Sequence, residues 1–512
     1  MKKVILGVVL PLLLTSMLMS AFNIRATMSS EPPATDWSKT YGGTGEDSAY
    51  SVIQTSDGGY ALGGRTTSYG AGNYDFWLVK TDSVGNMLWN RTYGGANVDQ
   101  AESLVQTSDG GYALVGYTYS FGAGGSDWWL VKTDSSGNEL WSRTYGGTNN
   151  DYPYCLIETI DGGYALAGAT ASYGAGDSDF WLVKTDSYGN IEWNYTYGGE
   201  EGDVAQPIVQ TRDGGYALLG YSGGYGDPAK RDVWLVKTDS SGIMQWNKRY
   251  GGAGEEMGRE IVETRDGGYA IAAFTTSYGA GNKDFWLIKT DAAGSWEWDR
   301  TYGGGAEDQA FSLVDTDDGG YALAGYTASY GAGEWDFWLV KTDLSGTMEW
   351  NQTYGGTNRD QAISMIKTGD GGYAIAGFTN SFGAGSGDFW LIKLAGLAPP
   401  VISATIDVDP NTLNLKSNGQ WITAYITLPE GYSVEDILLE TVEVDGISAA
   451  WSDIQNSVYM AKFDRATVQT YLTNEPDYET APKFYDITLT VTGGLTDGTL
   501  FEGTDTITVI KK

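Results

Sequence analysis

Carboxylates and aromatic rings recur through this chain at a fixed spacing, and together they could hold a ligand. Asp47, Asp99, Asp151, Asp203, Glu256, Asp308 and Asp360 each stand four residues after the second glycine of a Tyr-Gly-Gly or its equivalent. Tyr69, Phe121, Tyr173, Tyr225, Tyr278, Tyr330 and Phe382 recur in a second loop. Carboxylates beside aromatic faces suit sugar hydroxyls, cations or basic side chains. The same residues have a structural reading, in which the acids cap loop amides and the rings plug gaps between repeats. Departures from the repeat are more informative, because a site needs asymmetry that a scaffold does not. The fourth repeat has one extra residue and brings Lys230 and Arg231 to an otherwise acidic loop, with Glu255 and Glu256 in the loop that follows. Glu334, Trp335 and Tyr74 are further departures.

Catalytic options are narrow. There is no histidine, which removes His-based triads, imidazole zinc sites and His general bases. Cys155 is the only cysteine, so no intrachain disulfide forms. Paired carboxylates about 5 to 9 Å apart can hydrolyse glycosides, and acids abound. Thr55-Ser-Asp-Gly-Gly and Asp82-Ser-Val-Gly-Asn86 superficially suggest an Asp box and a calcium loop. Both read more simply as hairpin turns. No metal or cofactor is expected.

The elements that position these residues come from one phrase of about fifty residues. Asp-Gly-Gly-Tyr begins at Asp57, Asp109, Asp161, Asp213, Asp266, Asp318 and Asp370, a period of 52 or 53 residues that marks stacked supersecondary units. Each copy holds four short strands rich in aromatic and β-branched residues, bounded by Gly, Asp and Ser turns. The fold class expected is all-β: a seven-bladed β-propeller of four-stranded blades over residues 36–394. One Trp position runs from Trp77 to Trp390 and another from Trp37 to Trp350, both suited to packing between blades. The last repeat lacks an outer strand and the first is preceded by an orphan one, so 36–41 is expected to pair with 388–393. From Thr40 to Gly64 the order TYGG, acidic loop, DGGYALGG resembles secreted bacterial and archaeal β-propeller repeats. The hairpin from Lys80 to Trp89 is similar to the strand pair of quinoprotein-type propellers, although nothing here replaces the consensus with a cofactor cage. The resemblance implies fold alone.

After residues 395–401, read as a linker, residues 402–512 alternate apolar and polar positions, as expected of an immunoglobulin-like β-sandwich with a short helix near 465–472. Phrases such as ATIDVDPNTLNLKSNGQWITAYITLPEGY resemble modules appended to bacterial and archaeal surface proteins. Residues 1–26 pair Lys2 and Lys3 with an apolar run from Val4 to Phe22, the layout of a signal peptide or, if uncleaved, of an N-terminal anchor. A net charge of −34 argues against nucleic acid and anionic membranes. Membrane attachment would come only through that segment. Together these features predict an extracellular or cell-surface, noncatalytic binding or adhesion protein whose loop face engages protein or glycan. The alternatives are a carbohydrate-active enzyme using Asp and Glu on that face, or structural envelope material.

Overall fold

The computed structural model describes residues 31–223, 231–396, 401–429, 431–474, 478, 480–496 and 499–511. The leader, Tyr225, Lys230 and linker residues 397–400 lie outside them. The chain divides into two compact units, 30–398 and 399–512.

The larger unit contains seven four-stranded antiparallel sheets. Sheets 1 to 6 are continuous in sequence, covering 47–93, 99–145, 151–197, 203–250, 256–302 and 308–354. Sheet 7 takes three strands from 360–394 and its fourth from Thr35–Tyr41, with Trp37 opposite Lys393 and Tyr41 opposite Phe389. In every sheet the third strand is buried on both faces, as expected of a sheet covered by neighbours on each side.

Local chemistry explains the strand pairing. In the first turn Gly58 sits at φ +81°, the left-handed region open to glycine, while the Asp57 carboxylate accepts from the Gly59 amide at 3.0 Å and the Thr55 hydroxyl at 2.5 Å. The buried Lys80 ammonium reaches the same carboxylate, and this Lys–Asp pair recurs in all seven sheets. Asp82 accepts from the amides of Val84 and Asn86, which makes its loop a closed hairpin turn.

Seven separate apolar clusters join consecutive sheets, the last joining sheet 7 to sheet 1. At six of these joints a Phe or Trp of one third strand meets the Trp of the next, such as Phe76 with Trp129 and Trp77 with Phe389, their centroids 4.8 and 4.5 Å apart. At the joint of sheets 4 and 5 a valine, Val233, replaces the Phe or Trp of the other sheets. Tyrosine hydroxyls also cross the joints, Tyr41 donating to Gly85 O and Tyr93 to Gly137 O. The corresponding Tyr354 hydroxyl is buried with no partner among the described residues. Its acceptor hairpin is the one that the pairing of Thr35–Tyr41 replaces.

The smaller unit has two sheets around one core that includes Val408, Ile426, Phe463, Leu489 and Val509. Two short strands, Val401–Ser403 and Thr412–Asn414, run parallel to Leu500–Ile510. A helix occupies Arg465–Asn474 and buries Val468 and Leu472.

Candidate functional site

The seven repeated acids do not face solvent. Asp47, Asp99, Asp151, Asp203, Glu256, Asp308 and Asp360 are almost completely buried. Asp47 accepts from the Gly43 amide at 2.9 Å, from the Ser68 hydroxyl at 2.6 Å and from the Thr66 hydroxyl. Asp151 and Asp360 repeat this pattern, and Glu256 accepts from the amides of Gly252 and Ser277. These carboxylates satisfy the donors of two tight loops, and so correct the expectation that they present oxygens to a ligand. Tyr69 is partly exposed, but its ring lies 5.3 Å from that of Trp77 and its hydroxyl donates to Gly42 O. Arg231 pairs with Glu255 at 3.0 Å and lies over the Tyr221 ring. Glu334 and Trp335 both engage Arg359, and Tyr74 donates to Glu46.

Asymmetry is concentrated elsewhere, on the first strand of each sheet. These strands, such as Asp47–Gln54, Asp99–Gln106 and Asp151–Glu158, neighbour one another in sequence order, with Asp360–Lys367 lying beside Asp47–Gln54. Each carries a bulge at its middle, where one or two residues fall out of register with the second strand. A bulge re-aims the extra side chain. At that position stand Tyr50, Glu102, Tyr154, Gln206, Arg259, Phe311 and Ile363. All seven line one cavity of about 260 Å³ between the first strands.

The side chains around this passage form polar networks. On one side Gln100 donates to Glu102 at 2.6 Å and accepts from Arg65 at 2.7 Å and Tyr117 at 3.0 Å, while Arg65 also reaches Glu46. Elsewhere Arg259 donates to Gln206 at 3.0 Å and lies 4.9 Å over the Phe311 ring. Serines beside the bulges lace neighbouring sheets, Ser364 accepting from the Val52 amide and Ser103 from the Leu156 amide. Sheets 3, 4 and 5 have Cys155, Pro207 and Glu260 there.

Enclosure sets the charge states. Burial pushes the Glu102 carboxyl up to about 8 against the opposing pull of Gln100 and Arg65. Burial also pushes Glu260 up to about 7 and the Cys155 thiol up to about 11, and it lowers Arg259. Glu102, Cys155, Arg259 and Glu260 are mostly covered but keep some exposure to the cavity. Two carboxyls near neutrality and a cation thus share a narrow space with Tyr50, Tyr154 and Phe311. Among the described residues no three acidic or sulfur ligands cluster as a metal site would require.

The signal for this site was present in the repeat. Aligned, the first strands read DSAYSVIQ, DQAESLVQ, DYPYCLIE, DVAQPIVQ, EMGREIVE, DQAFSLVD and DQAISMIK, and the fourth column differs in nearly every copy.

Sheets repeated in this way, each stacked on the next around their first strands, define a β-propeller repeat architecture. No family model matches the sequence, and no curated protein does. Among solved structures, it is similar to a protein of unknown function from Dyadobacter fermentans (13% identity, 71% of this chain, 99% of that chain, TM-score 0.42). It is also similar to Sqt1 from Chaetomium thermophilum (13% identity, 67% and 82%, TM-score 0.40). A third likeness is to the Pan2 WD40 domain of Neurospora crassa (10% identity, 72% and 97%, TM-score 0.44).

Proposed function

We propose that this chain is an exported or cell-surface binding protein, a closed seven-bladed β-propeller joined to an immunoglobulin-like β-sandwich. It engages glycan or protein at the mouth of its central passage. The observation that carries this reading is the break in sevenfold repetition at the bulge positions, where Glu102, Tyr154, Gln206 and Arg259 replace any common residue. A scaffold needs no such diversity; a ligand site does. Export is supported by the leader pattern of residues 1–26.

Replacing Gln206 and Arg259 together by alanine is expected to weaken ligand capture at least about tenfold, the scale of losing two central contacts. Tyr69→Ala, at a repeated plug, is expected to leave it within about twofold. Glycan arrays and capture of extracted envelope proteins would supply the ligand. The opposite ranking of the two variants would contradict this assignment.

One observation favours carbohydrate hydrolysis as a second reading: Glu102 and Glu260 line one passage with carboxyls held at about 8 and 7, a range suited to general acids. A glycoside-hydrolase screen in which Glu102→Gln or Glu260→Gln abolishes a wild-type signal would favour it.

A further inference from the structure

A second cavity, of about 560 Å³, is lined by sheets 3 and 4 together with Gly125 of sheet 2 and the connection 148–150, and shares Tyr154 with the passage. Its cause is a single break in the repeat. The sixth residue of each second strand is Arg65, Tyr117, Ala169, Tyr221, Phe274, Tyr326 or Phe378, facing the second residue of the third strand across the ladder. Six of the seven are large, and sheet 3 has Ala169.

The bulk has moved one strand inward. Ala169 pairs with Tyr152, whereas Tyr117 and Tyr326 pair with glutamines and Tyr221 with Val204. Tyr152 is held in place by a 2.7 Å hydrogen bond between its hydroxyl and that of Tyr119. The backbone ladders of sheets 3 and 4 hold the walls apart, so a missing side chain leaves space that they do not collapse to fill. The volume falls in the range of small-molecule sites, about 300 to 1,000 Å³.

The walls select among ligand classes. Tyr152 and Tyr154 give aromatic faces and hydroxyls, Tyr221 gives a wall whose ring also carries Arg231, Asn149 and Asn150 give amides, and Asp177 is the one carboxylate among the described residues of the lining. Among the described residues of the lining none is a lysine or arginine and Asp177 is the one charged group, so an anionic ligand would meet a like charge in an acidic protein. A pyranose ring matches on both counts, its C–H face stacking on a phenol and its hydroxyls pairing with phenol, amide and carboxylate oxygens.

We infer that the cavity opened by Ala169 binds one uncharged pyranose residue of a glycan. This rests on the binding function proposed above and locates its sugar subsite.

The test is to restore the symmetry. Tyr152→Gln with Ala169→Tyr recreates the pair found in sheets 2 and 6, so the fold has a precedent for it within this chain. Methyl pyranosides, methyl glucuronoside and tetramethylammonium would be titrated by ligand-observed NMR, with melting midpoints recorded. Wild type is expected to bind an uncharged pyranoside, and the double variant to lose at least about tenfold in affinity with its melt intact, the effect of filling the pocket. Tyr221→Ala, which removes one wall and fills nothing, is expected to weaken binding as well. Undiminished pyranoside binding by the double variant would overturn the location. Binding of tetramethylammonium or the glucuronoside alone, or of no probe, would overturn the ligand class. In either case the passage reading stands or falls separately, on Gln206 and Arg259, which line the passage and not this cavity.

Discussion

A protein lacking residues 27–43 will melt at a temperature lower by about 10 °C or more in the transition of its larger unit. Those residues include the strand Thr35–Tyr41, which pairs with every residue of Asp388–Leu394 except Asp388. Tyr41 is 5% exposed and closes the joint to sheet 1 through Gly85, and Trp37 packs edge-on against Tyr60 at 5.6 Å. Loss of one large buried ring costs about 3 to 5 kcal/mol, and at about 2 °C per kcal/mol for a domain of this size two rings give the stated fall. The deletion also bares Asp388–Leu394, now wholly buried, as an unpaired edge strand, so aggregation on heating is expected too. Calorimetry followed by tryptophan fluorescence reads both, and an unchanged melt would contradict closure by the N-terminal strand.

Stability will peak on the acidic side of neutrality, between about pH 4 and 5, because two sevenfold sets of carboxyls titrate in opposite directions. In the hairpin set burial pushes the carboxyls up, but hydroxyl, lysine and amide donors outweigh it. Asp57, Asp109, Asp161, Asp213, Asp266 and Asp370 are held at about 2, and Asp318 is also lowered. The unfolded chain takes up protons first at these sites. Their contribution is therefore complete above about pH 4, the ordinary carboxyl value, and is lost as pH falls towards 2.

The second set opens the third strands. Asp75, Asp127, Asp179, Asp232, Asp284, Asp336 and Asp388 are raised, first by burial and then by the neighbouring sheet's carboxylate, as Asp99 acts on Asp75; Asp179 reaches about 6. Here the folded state takes up the proton first, so stability grows as pH falls from about 6 towards 4. Most hairpin carboxylates are half-exposed and each is screened by solvent, but seven copies titrate together. Melting midpoints from about pH 2 to 8 should rise, peak and fall. A midpoint that climbs steadily to neutral pH would show that the raised set does not titrate as its surroundings require.

The all-β class, the repeat and its four strands were legible because the phrase recurs with its turn glycines in place. Asp57-Gly58-Gly59 announces a hairpin wherever it stands, and the Trp77 column marks positions buried between sheets. The site was harder to read. Asp47 and its counterparts resemble ligand groups because a carboxylate that caps buried amides has the same one-letter code as one that meets solvent. The bulge at Tyr50 breaks the two-residue alternation, so a strand reading assigns that column to an outer face when it lines the passage. Ala169 looks like unremarkable drift until its six large counterparts are set beside it in register.

Hydrogen–deuterium exchange with and without a captured ligand tests the central claim, that function resides at the asymmetric first strands and not in the repeated loops. Protection confined to strands such as Asp99–Gln106, Asp151–Glu158 and Glu256–Glu263, with the loops bearing Tyr69 and its counterparts unchanged, is the predicted result. Equal protection of those loops in all seven sheets, with the first strands unaffected, would contradict it.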